Sequence, residues 1–186
     1  MKICVIVVNH NRAALLGKCL ESLAFQTLRA SEIVVVDNAS VDNSVEIIER
    51  DFVSTGRLPV RIVRNDRNLG FCEANNQGMA ASTAPLIALL NNDAEADPNW
   101  LAELAKAFER GPDVGMAACK ILVHSDPTRI DKAGHLIYWD GQNRGRGTGQ
   151  TDRGQFDKVE EVIWPDGCAA IYRREMIDQI GGFDED

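Results

Sequence analysis

The run Pro85-Leu-Ile-Ala-Leu-Leu-Asn-Asn-Asp93 constrains this chain more than any other stretch. The apolar residues Leu86 to Leu90 stop abruptly at two amides and a carboxylate. Such a run, bounded by Pro and Asn, reads as a strand buried on both faces, the signature of a parallel sheet. Val5-Ile-Val-Val8 ends in the same way at Asn9, and Ile33-Val-Val-Val36 at Asp37. In open α/β sheets, ligands bind outside the carboxyl ends of the strands. The three ends therefore predict one polar cleft. A hard cation such as Mg²⁺ takes oxygen ligands, commonly one or two carboxylates completed by substrate phosphates. The pattern points to a site for a nucleotide and a divalent metal.

Composition narrows the class. A chain of 186 residues is about one domain, and 45% hydrophobic with 26% charged residues suits a globular core. The net charge of −8 argues against nucleic acid as a partner, because phosphate backbones need a basic surface. The five cysteines are scattered without a CxxC, and read as reduced, buried small hydrophobes. Met1-Lys2-Ile3 runs straight into a strand, unlike a signal peptide. No segment approaches the roughly 18–20 apolar residues of a transmembrane segment. The expectation is a cytoplasmic protein, peripheral at the inner face of the membrane at most.

Strands and helices alternate through the first half. Strands are predicted near 2–8, 32–37, 60–64 and 85–90, and helices near 12–27, 42–53, 71–82 and 98–110. Leu15, Leu16, Leu20 and Leu23 give the first helix its apolar stripe. Pro98 suits a first helical turn. This alternation implies a mainly parallel sheet flanked by helices. Beyond residue 111 the pattern changes. Strands are predicted over 114–123, 134–139, 159–164 and 168–172, and a helix over 173–180 stopped by Gly181-Gly182. The polar, Gly-rich stretch 140–157 reads as a mobile loop. Its Gly145-Arg-Gly-Thr-Gly149 lacks the strand-before, helix-after context of a phosphate loop. His124 and His135 read as surface or packing residues, whereas His10 lies beside a strand end.

Several pieces in order resemble family 2 glycosyltransferases of the GT-A fold, especially the rhamnosyltransferase-like branch. They are Val5-Ile-Val-Val-Asn-His-Asn-Arg12, Val34-Val-Val-Asp-Asn-Ala-Ser40, Asn65-Asp-Arg-Asn-Leu-Gly70 with Asn75-Asn-Gln-Gly78, Leu89-Leu-Asn-Asn-Asp93, Asp166-Gly-Cys168 and Gly181-Gly-Phe-Asp-Glu185. The resemblance covers essentially the whole chain. It implies a single domain, with residues 1–97 binding the nucleotide sugar and residues 98–186 facing the acceptor.

The resemblance implies roles for particular residues. Asp37 would accept the N–H of a pyrimidine base; the alternative is that it caps the turn into the next helix, with Asn38 and Ser40. Asn9, Asn11, Arg12, Asn38, Asn68, Gly70, Asn75, Asn91 and Asn92 would line the nucleotide-sugar site. Arg64 and Arg67 would add charge-assisted bonds to phosphate. Asp93 would hold Mg²⁺ or Mn²⁺ in a motif whose first position is Asn91 rather than Asp. Asp166 would meet acceptor hydroxyls and is the internal candidate for a catalytic base. The family base is expected beyond Asp186, with Asp184, Glu185 and Asp186 poor substitutes at a mobile terminus.

The implied reaction is inverting, metal-dependent transfer of a sugar from dTDP-rhamnose or a UDP-sugar to a glycan or lipid-linked acceptor. The chain would then be incomplete at its C-terminus, with apolar surface that favours a homodimer. The alternatives are a non-catalytic sugar-nucleotide-binding module or inactive fragment and, less favoured, a nucleotidyltransferase. A dinucleotide-binding Rossmann enzyme is disfavoured because no GxGxxG follows the first strand.

Overall fold

The computed structural model describes residues 1–185. Four strands form its parallel part: β1 (Ile3–Asn9), β2 (Glu32–Asn38), β3 (Val60–Asn65) and β4 (Leu86–Leu90). Between and after them run the helices α1 (Ala13–Ala24), α2 (Ser44–Ile48), α3 (Gly70–Ala80) and α4 (Trp100–Ala107). The second half adds β5 (Met116–Ala118), β6 (Ile121–Val123), β7 (Asp126–Lys132), β8 (His135–Ile137), β9 (Asn143–Gly145), β10 (Ala169–Arg173) and α5 (Arg174–Ile180). The main sheet has the order β3-β2-β1-β4-β10-β5. β10 runs antiparallel to both β4 and β5. The sheet is therefore mixed and mainly parallel, as its apolar runs predict.

Both faces of the sheet are buried, which explains the unbroken apolar runs. Alternate residues point to opposite faces. Val5, Val7, Ile33, Val35, Ala88 and Leu90 pack with Leu16, Leu20 and Leu23 of α1 and with Leu101 and Leu104 of α4. Cys4, Ile6, Val34, Val36, Ile87 and Leu89 pack with Ala74 and Met79 of α3 and with Ile177 of α5. Each fully buried Val, Leu or Ile contributes about 1.5–3 kcal/mol. Gly78 lets α3 sit close on β1, because a Cβ there would stand 2.6 Å from Ile6 Cγ2.

The second helix departs from its predicted span. Residues Ser44–Ile48 are α-helical and Glu49–Val53 widen into a π-turn. Asp42 accepts from the Ser44 N–H and from the Ala13 N–H, so it caps the start of α1 as well as its own turn.

The second half differs more. The strand predicted over 114–123 breaks into β5 and β6. The stretch 126–132 forms β7, paired antiparallel with β6, although its polar sequence gave no strand signal. Residues 140–157 are not an unstructured flap. β9 pairs with β8, and backbone bonds join Ile130 to Gln150 and Gly149, Ala133 to Arg146 and Asp152 to Thr128. Tight glycine turns at left-handed φ let the chain fold back on β7, which composition alone cannot distinguish from mobility. Residues 159–164 are not a strand; Trp164 forms an isolated bridge with His135 of β8.

The cysteines are free, Cys4 and Cys19 buried and the others half-buried. Burial pushes the Cys4 and Cys119 thiols up to about 11 and Cys168 up to about 12, which leaves them inert. No described helix is long and apolar enough to cross a membrane. The C-terminal segment is anchored where the sequence suggests a loose end. Phe183 packs on Phe71 and, edge-on, against Tyr172. Asn76 bonds both N–H and C=O of Phe183 and reaches Glu185. Asp186 lies outside the described residues.

Candidate functional site

The carboxyl ends of β1, β2 and β4, with the loop into α3, enclose a cleft of about 400 Å³. Val8, His10, Arg12, Asn38, Asn68, Gly70, Phe71, Asn91, Asn92 and Asp93 line it. Seven expected site residues thus come together: Arg12, Asn38, Asn68, Gly70, Asn91, Asn92 and Asp93. Phe71 joins them from the first turn of α3, and its ring was not singled out from the sequence. His10 also lines the cleft, as its place beside a strand end suggests.

The walls are braced from behind by hydrogen bonds between strand ends. Asn92 Nδ2 donates to Asn9 Oδ1 at 2.7 Å. Asn9 Nδ2 donates to Ser40 Oγ at 3.0 Å and to Asp37 Oδ1 at 3.4 Å. The Asn11 N–H also donates to Ser40 Oγ, and Asn11 Oδ1 accepts from the Val41 N–H. The Ser40 hydroxyl is therefore a hub between the β1 and β2 ends.

Asp37 is placed under the cleft wall rather than on it. It is 4% exposed and accepts from the Ser40 N–H through Oδ2. Strand alternation is the reason. Asp37 shares a face with its register partner Asn9, and Asn38 points to the other face. Asn38 Nδ2 donates to Asn68 Oδ1 and the Gly70 carbonyl, and Asn38 Oδ1 accepts from the Leu69 N–H. The Gly70 N–H is taken by Asn68 Oδ1, within the loop. Asn75 is buried, with its amide donating to the Phe71 carbonyl, so it braces α3 rather than lining the cleft. Arg64 pairs with Glu49.

The loops around the cleft hold unusual backbone. Asn11, Arg12 and Ala39 adopt φ near 60°, and they are the only non-glycine residues with positive φ among the described residues. Left-handed backbone costs an L-residue roughly 1–2 kcal/mol, and such costs gather at functional sites.

Among the described residues Asp93 is the only carboxylate lining the cleft. Arg12 Nη1 lies 2.5 Å from its Oδ2. No group of three or more His, Cys, Asp or Glu able to hold a metal exists among the described residues. The donor set therefore fits Mg²⁺ or Mn²⁺ only in the open manner, with one carboxylate and the other oxygens from diphosphate and water. The guanidinium on Asp93 shows that this oxygen already attracts a cation.

Asp166 does not line the cleft, but its neighbour lies close to the Phe71 ring. An added Cβ on neighbouring Gly167 would stand 3.0 Å from Phe71 Cζ. Asp166 Oδ1 accepts from the Cys168 N–H, and Oδ2 meets Lys132 Nζ at 2.9 Å and His135 Nε2 at 3.0 Å. Burial would raise its pKa, but Lys132, the Cys168 N–H and His135 outweigh that and bring it to about 2. His135 also meets Asn143 Oδ1 and stacks on Trp164. It is part of a polar cluster beside the cleft, not a bland packing residue. Sequence spacing gave no sign of this, because β7 and β8 bring Lys132 and His135 to Asp166 only through the fold.

The sequence profile described as Glycosyl transferase family 2 matches residues 4–181. The chain belongs to glycosyltransferase family 2. Among curated relatives, a glucosyl-dolichyl phosphate glucuronosyltransferase of Haloferax volcanii is 25% identical over 99% of this chain and 56% of its own length. The O-antigen biosynthesis protein RfbC of Myxococcus xanthus is 28% identical over 99% of the chain and 15% of its own. This family 2 chain thus spans only part of the relatives it matches. Its fold is GT-A. The mannosyltransferase PcManGT from Pyrobaculum calidifontis, solved with GDP-Man and Mn²⁺, superimposes with a TM-score of 0.71 at 22% identity, covering 100% of this chain and 48% of that one. S. aureus TarS 1-349 with UDP gives 0.68 at 20% identity, covering 100% and 51%.

Proposed function

We propose that this domain binds a nucleoside diphosphate sugar with Mg²⁺ or Mn²⁺ in the cleft and transfers the sugar to a glycan or lipid-linked acceptor. The observation that carries this reading is the lone carboxylate of Asp93, held by Arg12 in an amide-lined cleft at the strand ends. Related folds described with GDP-Man and Mn²⁺, and with UDP, support a nucleotide donor and a divalent ion.

In this reading Asp93 supplies the protein's charged oxygen to the ion, and Asn91 and Asn92 supply neutral amides beside it. When bound there, such an ion would supply Lewis-acid neutralisation of the charge growing on the departing diphosphate. Arg12 exchanges Asp93 for a phosphate oxygen, as guanidinium does readily. The rings of His10 and Phe71 give the base flat surfaces, and Asn38 with Asn68 fixes the loop beneath it. Asp37 works through the turn: it holds Ser40, and Ser40 holds Asn9 and Asn11. Donor candidates are dTDP-rhamnose first and a UDP-sugar second. Transfer proceeds by direct displacement with inversion: the acceptor oxygen bonds the sugar as the diphosphate departs and a carboxylate base takes the hydroxyl proton, with residues 1–97 holding the donor and residues 98–186 the acceptor side.

Asp166 is a poor general base, since bases work best with a pKa near the operating pH and both its oxygens are engaged. It orders the acceptor side through Lys132 and His135. The same engagement favours a second reading, donor binding without turnover by these residues alone. A thermal-shift screen of nucleotides and nucleotide sugars with Mn²⁺ and with EDTA tests the first step, because a ligand of the folded state raises its apparent stability. Stabilisation by a nucleoside diphosphate that needs the metal is the expected result; no shift with any of them contradicts the proposal.

A further inference from the structure

A second concavity, also of about 400 Å³, shares no lining residue with the cleft and lies along the β8–β9 hairpin and the turn after β9. We propose that it is an accessory subsite for a neutral oligosaccharide, the part of an acceptor chain lying behind the sugar that reacts. The identity of the occupant rests on the glycosyltransferase reading above. The existence of the groove does not.

The groove is built rather than incidental. Tyr138, Arg144, Gly145, Gly147, Thr148 and Gln150 line it. A Cβ on Gly145 would stand 2.7 Å from both Lys132 Cγ and Thr148 Oγ1, and one on Gly147 would stand 2.4 Å from the Phe156 ring. Gly147 also has a φ of +77°. A side chain at either point would crowd its neighbours, and backbone bonds from Ile130 to Gly149 and Gln150 and from Ala133 to Arg146 fix this stretch against β7.

The lining has the chemistry that sugars need. Sugar rings present flat C–H faces rimmed by hydroxyls. The Arg144 guanidinium lies over the Tyr138 ring at 5.2 Å, which gives a flat, amphipathic wall. Thr148 and Gln150 offer a hydroxyl and an amide beside it. Trp139, the next residue, is 96% exposed, a second aromatic face at the rim.

Charge selects a neutral ligand. Arg144 is paired with Asp140, Arg146 with Glu160, Lys132 with Asp166, and Lys120 with Asp152 and Asp157. Each of these cations faces a carboxylate, so the surroundings of the groove are close to balanced in charge, which suits an uncharged ligand.

Position ties the groove to the cleft. Phe71 in the cleft wall lies over Gly167, where a Cβ would stand 3.0 Å from Phe71 Cζ. Asp166 holds His135, and His135 holds Asn143, the neighbour of Arg144. A chain of protein contacts therefore links the wall of the donor cleft to the wall of the groove.

The test is a titration of the ¹⁵N-labelled chain, followed by amide shifts. The probes are neutral linear oligosaccharides of rhamnose, mannose, glucose and galactose, and separately vesicles of anionic phospholipid. UDP and dTDP with Mn²⁺ are titrated on the same sample. The expected result is a saturable shift of Tyr138, Arg144, Gly145, Thr148 and Gln150 with at least one sugar. Tyr138→Ala and Arg144→Lys should each weaken it about tenfold, Arg144→Lys keeping the charge while losing the flat stack. Sugar shifts confined to His10, Asn92 and Asp93, no saturable shift with any sugar, or groove shifts with vesicles alone each overturn the proposal. The nucleotide titration judges the donor cleft independently, so a failed groove and a failed glycosyltransferase reading give different spectra.

Discussion

Arg12 Nη1 and Asp93 Oδ2 meet at 2.5 Å across 81 residues of sequence, joining the loop after β1 to the end of β4 at the cleft. Both side chains are substantially exposed, 57% and 38%, so the pair adds at most about 1 kcal/mol to stability. Its meaning is positional, since it holds a cation where a divalent ion would sit. Arg12→Ala should therefore change the urea midpoint little. It should also let Mn²⁺ alone reach Asp93, seen as water-proton relaxation enhancement that wild type lacks without nucleotide. Equal enhancement in both proteins would show that Arg12 does not compete for that oxygen.

Asp37 should act through the turn it holds. Removing it leaves the Ser40 N–H and the Asn9 amide short of a buried acceptor, a loss of about 1–3 kcal/mol. Asp37→Ala is expected to weaken UDP and CDP by the same factor in competition binding. A selective loss of UDP would restore Asp37 as the reader of the pyrimidine N–H, the role its family resemblance implies.

Asp166 gives an acid-stability signature. Its folded pKa of about 2 lies below the usual carboxylate value. A depressed carboxylate stabilises the fold fully above its unfolded pKa of about 3.9. That contribution, up to about 2 kcal/mol, fades as pH falls through the folded value. Asp166→Asn should be less stable than wild type at neutral pH, and the two should converge near pH 2 in urea unfolding. A constant difference across that window would mean that the carboxylate is not held by Lys132, the Cys168 N–H and His135.

Gly78→Ala tests the close approach of α3 to β1. The added methyl would meet the fully buried Ile6 side chain at 2.6 Å, and overpacking of this kind costs about 1–3 kcal/mol. A variant as stable as wild type in denaturant would show that Ile6 can shift freely.

The parallel strands and the cleft at their ends were legible because both depend on local pattern. Leu86–Leu90 is apolar throughout and ends in amides and a carboxylate, and β1 and β2 repeat the arrangement. Asp37 and Asn38 were harder to assign. Only the register of β2 beside β1 shows which of the two turns beneath the wall. β7 was missed because Asp126–Lys132 is mostly polar and gains strand structure from pairing with β6 and the glycine turns behind it. The Lys132–His135–Asp166 cluster joins residues that spacing does not connect. The Gly-rich stretch 140–157 reads as loose from composition, yet its glycines serve close packing against Phe156 and Lys132.

The central claim is a metal-dependent nucleoside diphosphate site built on Asp93. Calorimetric titration of UDP and of dTDP into this chain, with Mn²⁺ and with EDTA, and into Asp93→Ala with Mn²⁺, tests it most directly. The account predicts tighter binding with Mn²⁺ than with EDTA, and an Asp93→Ala protein that folds normally but gains nothing from the metal. Equal affinity in all three conditions would contradict it.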